Sequence, residues 1–191
     1  MQTLFVAKRL FDQSVGEAWN RYVTWSGLSQ LAEVVSLDNI LCPTVPEELT
    51  SADWNYNVHA DYLTFFFRSL DYLRSRVAGD DRLNILAVLQ NPTPADLAET
   101  SLPGFAFAGF DLVDVHGDIS ALTNCGGFDR VFLNAELSDL GLLTDLSRAR
   151  EVQTLLRLEY PEESHAGCHV WAIWRQRLPV EAPPCSPARS E

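Results

Sequence analysis

The stretch Leu83-Asn84-Ile85-Leu86-Ala87-Val88-Leu89-Gln90 (LNILAVLQ), followed by Pro92 and Pro94, decides the fold class. Its apolar density runs for only eight residues. That is the length of a strand and too short for a helix of the core. Prolines just beyond it end the extended run, because they cannot donate to a ladder.

Upstream, Trp54, Val58, Tyr62, Phe66, Leu70, Leu73 and Val77 recur at steps of three and four. This spacing predicts a helix that ends near Gly79 and starts behind a capping box at Thr50 and Asp53. Further back, Pro43 and Pro46 predict an extended loop, and 31–38 (LAEVVSLD) reads as a strand. Ser14 and Glu17 have capping-box spacing ahead of a helix from Val15 to about Trp25, which Gly27 stops. Thr3 to Leu10 (TLFVAKRL) is the first strand.

Downstream, Asp96 to Pro103 is a loop or short helical turn, and 104–115 (GFAFAGFDLVDV) is strand-like, with Ile119 to Thr123 as its returning partner. A short helix is expected around Asn134 to Leu140. A longer one, capped by Thr144, runs from Asp145 to about Glu159 and is stopped by Pro161. His169 to Leu178 (HVWAIWRQRL) is the last strand. Helices and strands interleave without strict βα alternation or glycine-rich crossover turns. The expected class is α+β: a single domain at 1–178 with an antiparallel or mixed sheet of about five strands and two to three helices packed on it. Residues 179–191 (PVEAPPCSPARSE) carry four prolines and no periodicity, and are read as a disordered Pro-rich tail.

Composition excludes several classes. The chain of 191 residues has 26 acidic and 14 basic side chains, a formal charge of -12, and 47% hydrophobic residues. It is too apolar for disorder throughout, and too acidic to hold a phosphate backbone by charge, so no nucleic acid is expected. No apolar run has the length of a membrane span, and the first ten residues lack the form of a signal peptide, which implies no membrane and a cytoplasmic location. Cys42, Cys125, Cys168 and Cys185 are scattered, form no disulfide framework, and are expected as free thiols. Lys8 is the single lysine and lies on a strand, a poor place for lysine chemistry. No nucleophile elbow or P-loop is present.

Three constellations carry candidate chemistry. His165, Cys168 and His169 place three zinc-type ligands within five residues, but on a strand Cys168 and His169 point to opposite faces. Cys125, before Gly126-Gly127, is a candidate nucleophile, with His116 or another histidine as base. The bland alternative for each is a buried thiol beside a loop. Asp111, Asp114 and Asp118 flank a strand and its turn, and lack the EF-hand spacing. Phe65, Phe66 and Phe67 cannot share one helical stripe; either the helix is sandwiched on two sides or aromatic area faces a pocket or partner, the bland reading being a sheet covered on both faces or a helix in the middle of the core.

Charge distribution is the most specific signal. Residues 22–67 hold six acids and no base, and residues 83–147 hold nine acids against Arg130 alone. A field of one sign speeds capture of an oppositely charged partner. The expected function is therefore an acidic protein-binding module, of inhibitor or immunity type, that neutralises a basic, nucleic-acid-directed protein without any cofactor. Asp111, Asp114, Asp118, Asp129, Glu136 and Asp139 are its expected contact acids. The rivals are a small enzyme using Cys125 with a histidine base, a metal site at His165, Cys168 and His169, and a structural subunit of a larger assembly.

Overall fold

The computed structural model describes residues 2–45, 56–57, 64–123 and 128–176. The elements, in chain order, are β1 (Leu4–Arg9), β2 (Phe11–Asp12), α1 (Glu17–Ser26), β3 (Glu33–Val34), β4 (Thr44–Val45), α2 (Leu70–Arg76), β5 (Leu83–Gln90), α3 (Pro94–Glu99), β6 (Phe105–Val113), α4 (Leu146–Glu159) and β7 (His169–Gln176). Five strands form an antiparallel sheet in the order β4-β1-β5-β7-β6, and β2 pairs with β3 in a small separate ribbon. The protein is a single-domain α+β fold, with four α-helices among the described residues. Among the described residues no helix is long and apolar enough to cross a membrane.

β5, the stretch LNILAVLQ, is the central strand. Alternate residues serve opposite faces, as the pleat requires. On one face Ala87, Leu89, Ala172, Trp174, Phe110 and Leu112 meet Ala149, Val152 and Leu156 of α4. On the other, Leu4, Val6, Leu86, Val88, Trp171 and Ile173 are covered by Val35, Leu37, Phe66 and Leu142, none of which is helical. The sheet is thus covered on both faces, and the neighbouring aromatics Trp171 and Trp174 both have a core to enter.

The long helix expected from Trp54 does not form over 64–69. Phe67 N–H donates to the Phe5 carbonyl at 2.8 Å, and Phe5 N–H donates to that of Phe67 at 2.8 Å. The segment therefore lies along β1 as extended chain, and Leu70–Arg76 is helical behind the Ser69 cap. Period-two alternation also resolves the aromatic run. Phe66 stacks on Trp171 at 4.9 Å, while Phe65 and Phe67 pack towards the Ala7, Leu73 and Val77 cluster. The first half of the expected helix, with Trp54, Val58 and Tyr62, lies outside the described residues, as do Cys125 and the Pro-rich tail.

Caps differ in detail. α1 starts at Gly16 with φ +66, and Ser14 instead bonds the Asp12 carboxylate, so Ser14 and Glu17 form no capping box. α4 is capped by Asp145, whose carboxylate accepts from Arg148 N–H at 2.8 Å, in place of Thr144. The reciprocal box forms at α3, between Thr93 and Asp96. The stretch 119–123 returns along β6 through single contacts rather than as a strand, with Ala121 N–H donating to the Leu112 carbonyl at 2.8 Å.

Candidate functional site

The site grows from an internal polar centre on the face of the sheet opposite α4. Lys8 follows Leu4 and Val6 on the same side of β1, so its side chain enters the protein and is 1% exposed. Its ammonium finds three acceptors: the Leu37 carbonyl at 2.8 Å, Asn39 Oδ1 at 2.6 Å and Thr44 Oγ1 at 3.1 Å. Burial pulls its pKa from 10.5 down to about 7, and the nearby carboxylates of Asp38 and Asp111 pull the other way.

Two carboxylates complete the centre. Asp111 of β6 accepts from Ser36 Oγ at 2.7 Å, from Leu37 N–H at 2.9 Å, from Leu112 N–H at 2.8 Å and from the Ser120 hydroxyl. Burial raises its pKa despite these bonds. Asp38 accepts from Ile40 and Leu41 N–H at 2.7 and 2.8 Å through one oxygen. Through the other it accepts from Ser120 N–H at 3.2 Å and Thr123 Oγ1 at 2.9 Å. The centre therefore ties the 36–44 segment to both β1 and β6, with every donor and acceptor named here engaged.

Asp38, itself buried, also borders a surface cleft. It lines a cleft of about 130 Å³ with Tyr22, Trp25, Ile40, Leu41, Ile119 and Thr123. Trp25, at the end of α1, is 67% exposed, and Ile40 is 72% exposed. Asp118 adjoins this cleft: its carbonyl accepts from Asn39 N–H at 2.7 Å, and its pKa is raised by partial burial and by the neighbouring Asp114. Leu133, 62% exposed, precedes Asn134, whose amide holds the Ser26 carbonyl beside Trp25 at 2.8 Å.

The six expected contact acids are divided. Asp111 and Asp114 are buried and leave the contact face. They are consumed inside, Asp111 by the polar centre and Asp114 by capping the turn to Asp118 and Ile119, whose N–H groups it accepts at 3.2 and 3.4 Å. Asp129 and Asp139 are exposed, and Asp118 is half-buried. Glu136 is half-buried and engages Arg148, with Nε to Oε2 at 2.5 Å.

Among the described residues His165, Cys168 and His169 do not converge on one point. Among the described residues no three His, Cys, Asp or Glu side chains are placed to hold a metal. His165 is buried in a short 3-10 turn and meets Phe128 edge-on at 5.1 Å, and burial lowers its pKa. Cys168 is buried and its thiol is pushed up to about 12 by burial, the reverse of what a thiolate ligand or nucleophile requires. His169 turns away to Asn91, with Nδ1 3.0 Å from Nδ2. Cys42 is likewise buried and pushed up to about 12 by burial. His116 is exposed, while Cys125 lies outside the described residues.

The sequence marks Lys8 only as the single lysine, on a strand, and gives Asp38, Asn39 and Trp25 no site role. The one available signal was parity: Lys8 shares the inward register of Leu4 and Val6 on a strand. The chain matches no family model, no curated protein and no solved structure.

Proposed function

We propose that the protein is a non-catalytic, acidic binding module of the cytoplasm that docks onto a basic, nucleic-acid-directed protein in the manner of an inhibitor or immunity protein. The observation that carries this reading is the cleft: Trp25 and Ile40 stand exposed around an apolar pocket, and the Ile40 turn is fixed from beneath by Asp38. An exposed tryptophan on a rigid support is the usual form of a binding anchor, because little freedom is lost on docking. Asp118 beside the cleft, with Asp129, Glu136 and Asp139 as the outlying acids, favours a cationic partner and speeds its arrival. Asp111 and Asp114 act one step back, holding the loops that present the face.

The test uses three baits on extract of the source cell: wild type, Trp25→Ala/Ile40→Ser, and Asp118→Lys/Asp129→Lys. A basic chain held by the wild type should bind about tenfold or more weakly to the cleft variant, and should elute at lower salt from the charge variant. A partner of acidic pI, or one held equally by all three baits, overturns the proposal.

A further inference from the structure

The cleft of Trp25 and Ile40 combines apolar walls with uncompensated negative charge. Tyr22, Trp25, Ile40, Leu41 and Ile119 line it as aromatic or aliphatic walls, and the polar lining is Asp38 and Thr123. Asp118 precedes Ile119 and adds a second carboxylate beside it. No basic side chain lines the cleft, and none of the ion pairs among the described residues involves Asp38 or Asp118. Lys8, the cation of the buried centre, gives its protons to Leu37, Asn39 and Thr44 instead. At about 130 Å³ the space is well below the roughly 300 Å³ at which small-molecule pockets begin, and is on the scale of one side chain.

The two carboxylates differ in what they can offer. A carboxylate has about four acceptor positions. Those of Asp38 are filled by Ile40 N–H, Leu41 N–H, Ser120 N–H and Thr123 Oγ1. All four donors are neutral, so Asp38 keeps its charge but has no acceptor to spare. Asp118 is half-buried beside Asp114, and both circumstances disfavour its charged form, which a cation alongside would restore.

This combination separates the two natural cations. An ammonium is strongly hydrated and needs several acceptors to replace its water, which a filled Asp38 cannot supply. A guanidinium is planar, more weakly hydrated, and stacks on an indole face, so it is held by the ring and by the field rather than by a full set of new bonds.

We infer that the cleft is a socket for one arginine side chain of the basic partner, with the guanidinium against Trp25 and its charge balanced by Asp38 and Asp118. The inference rests on the docking reading above and names the residue type that the cleft recognises.

The experiment uses the full chain, labelled with ¹⁵N and with ¹³C in the isoleucine methyls, and titrated to ~100 mM, at constant ionic strength, with Nα-acetyl-arginine methylamide. The lysine and norleucine counterparts serve as the other two probes. The Trp25 indole and Ile40 methyl resonances should move on one saturating curve with the arginine compound. The lysine compound should bind about threefold or more weakly, and the neutral norleucine compound should leave both resonances in place. Trp25→Leu changes a side chain that is 67% exposed and keeps an apolar wall; read from Ile40, it should weaken the arginine compound about threefold. Asp118→Asn, which leaves the backbone bond to Asn39 intact, should weaken it by a similar factor. Four results overturn the inference: no saturating shift, norleucine equal to arginine, lysine equal to arginine, or indifference to Trp25→Leu. If the arginine compound fails while the wild-type bait still holds a basic chain that the cleft variant loses, the socket is wrong and the docking reading stands. If it binds as expected but the captured partner has an acidic pI, the socket stands and the docking reading falls.

Discussion

Lys8 shows how one residue can be both well bonded and strained. Its three acceptors suit an ammonium, yet burial favours the neutral amine and brings the pKa to about 7. The native pKa lies below the 10.5 of the unfolded chain, so between pH 7 and 10 the unfolded chain binds more protons. Lys8 should therefore make stability rise with pH across that window, by up to about 1.4 kcal/mol per unit, while the Cys42 and Cys168 thiols, held protonated up to about 12, oppose it from about pH 8 upward. Lys8→Met should abolish this slope. At pH 7 it should also cost about 3 kcal/mol, because the Leu37 carbonyl, Asn39 and Thr44 lose their donor and the buried acids lose a neighbouring cation. Urea melts at pH 7, 8 and 9 check both statements; equal slopes in the two proteins would show that Lys8 is not the group responsible. Nothing local in the sequence announces this centre, because the bonds that tie its segments together join residues up to 85 positions apart. A lone lysine on a strand was legible. The Leu37 carbonyl and Asn39 that surround it were not, since only the tertiary fold brings them there.

Among the elements, those that fill a face by one clear period were readable to within a residue or two. LNILAVLQ became β5 over the residues quoted, and α4 follows its apolar stripe. The expected helix fails over 64–69 because Phe66 satisfies both a helical step and a strand alternation. Pairing with Phe5 decided between them, and pairing is a long-range event. β6 carries the sharpest element-level constraint. Its register shifts between Phe107 and Gly109, and Gly109 has φ +146. A Cβ there would lie 2.7 Å from the Leu143 carbonyl oxygen and 2.8 Å from Leu142 Cβ. The bulge lets the 142–143 segment close on the strand, with Phe110 N–H donating to the Leu143 carbonyl at 2.7 Å. Gly109→Ala should therefore cost about 2 kcal/mol or more, through backbone strain and the contact with main chain. Thermal melts measure it, and a loss below about 0.5 kcal/mol would mean that the 142–143 segment gives way freely.

At the scale of the molecule, the net charge of -12 acts in two directions. The arginines are largely engaged with acids close to them: Arg21 with Glu17, Arg74 with Asp71, Arg148 with Glu136 and Glu151, and Arg175 with Glu33. What remains is an excess of acid on loops, including Asp118, Asp129 and Asp139, repelling through solvent. Raising salt from 0.05 to 0.5 M shortens the screening length from about 14 to about 4 Å. Surface ion pairs lose little by this, since each contributes about 0–1 kcal/mol, while the repulsion of the whole surface is relieved. The isolated protein should therefore gain stability with salt, by about 1 kcal/mol or roughly 3 °C in Tm. Capture of a cationic partner must respond in the opposite sense, because the field that strains the free chain is the field that steers the partner. Melting curves and association rates over the same salt series thus test one charge distribution twice. Opposite slopes place the excess acid on the docking face, whereas a partner whose association rate is flat in salt would leave the cleft of Trp25 and Ile40 as the whole of the recognition surface.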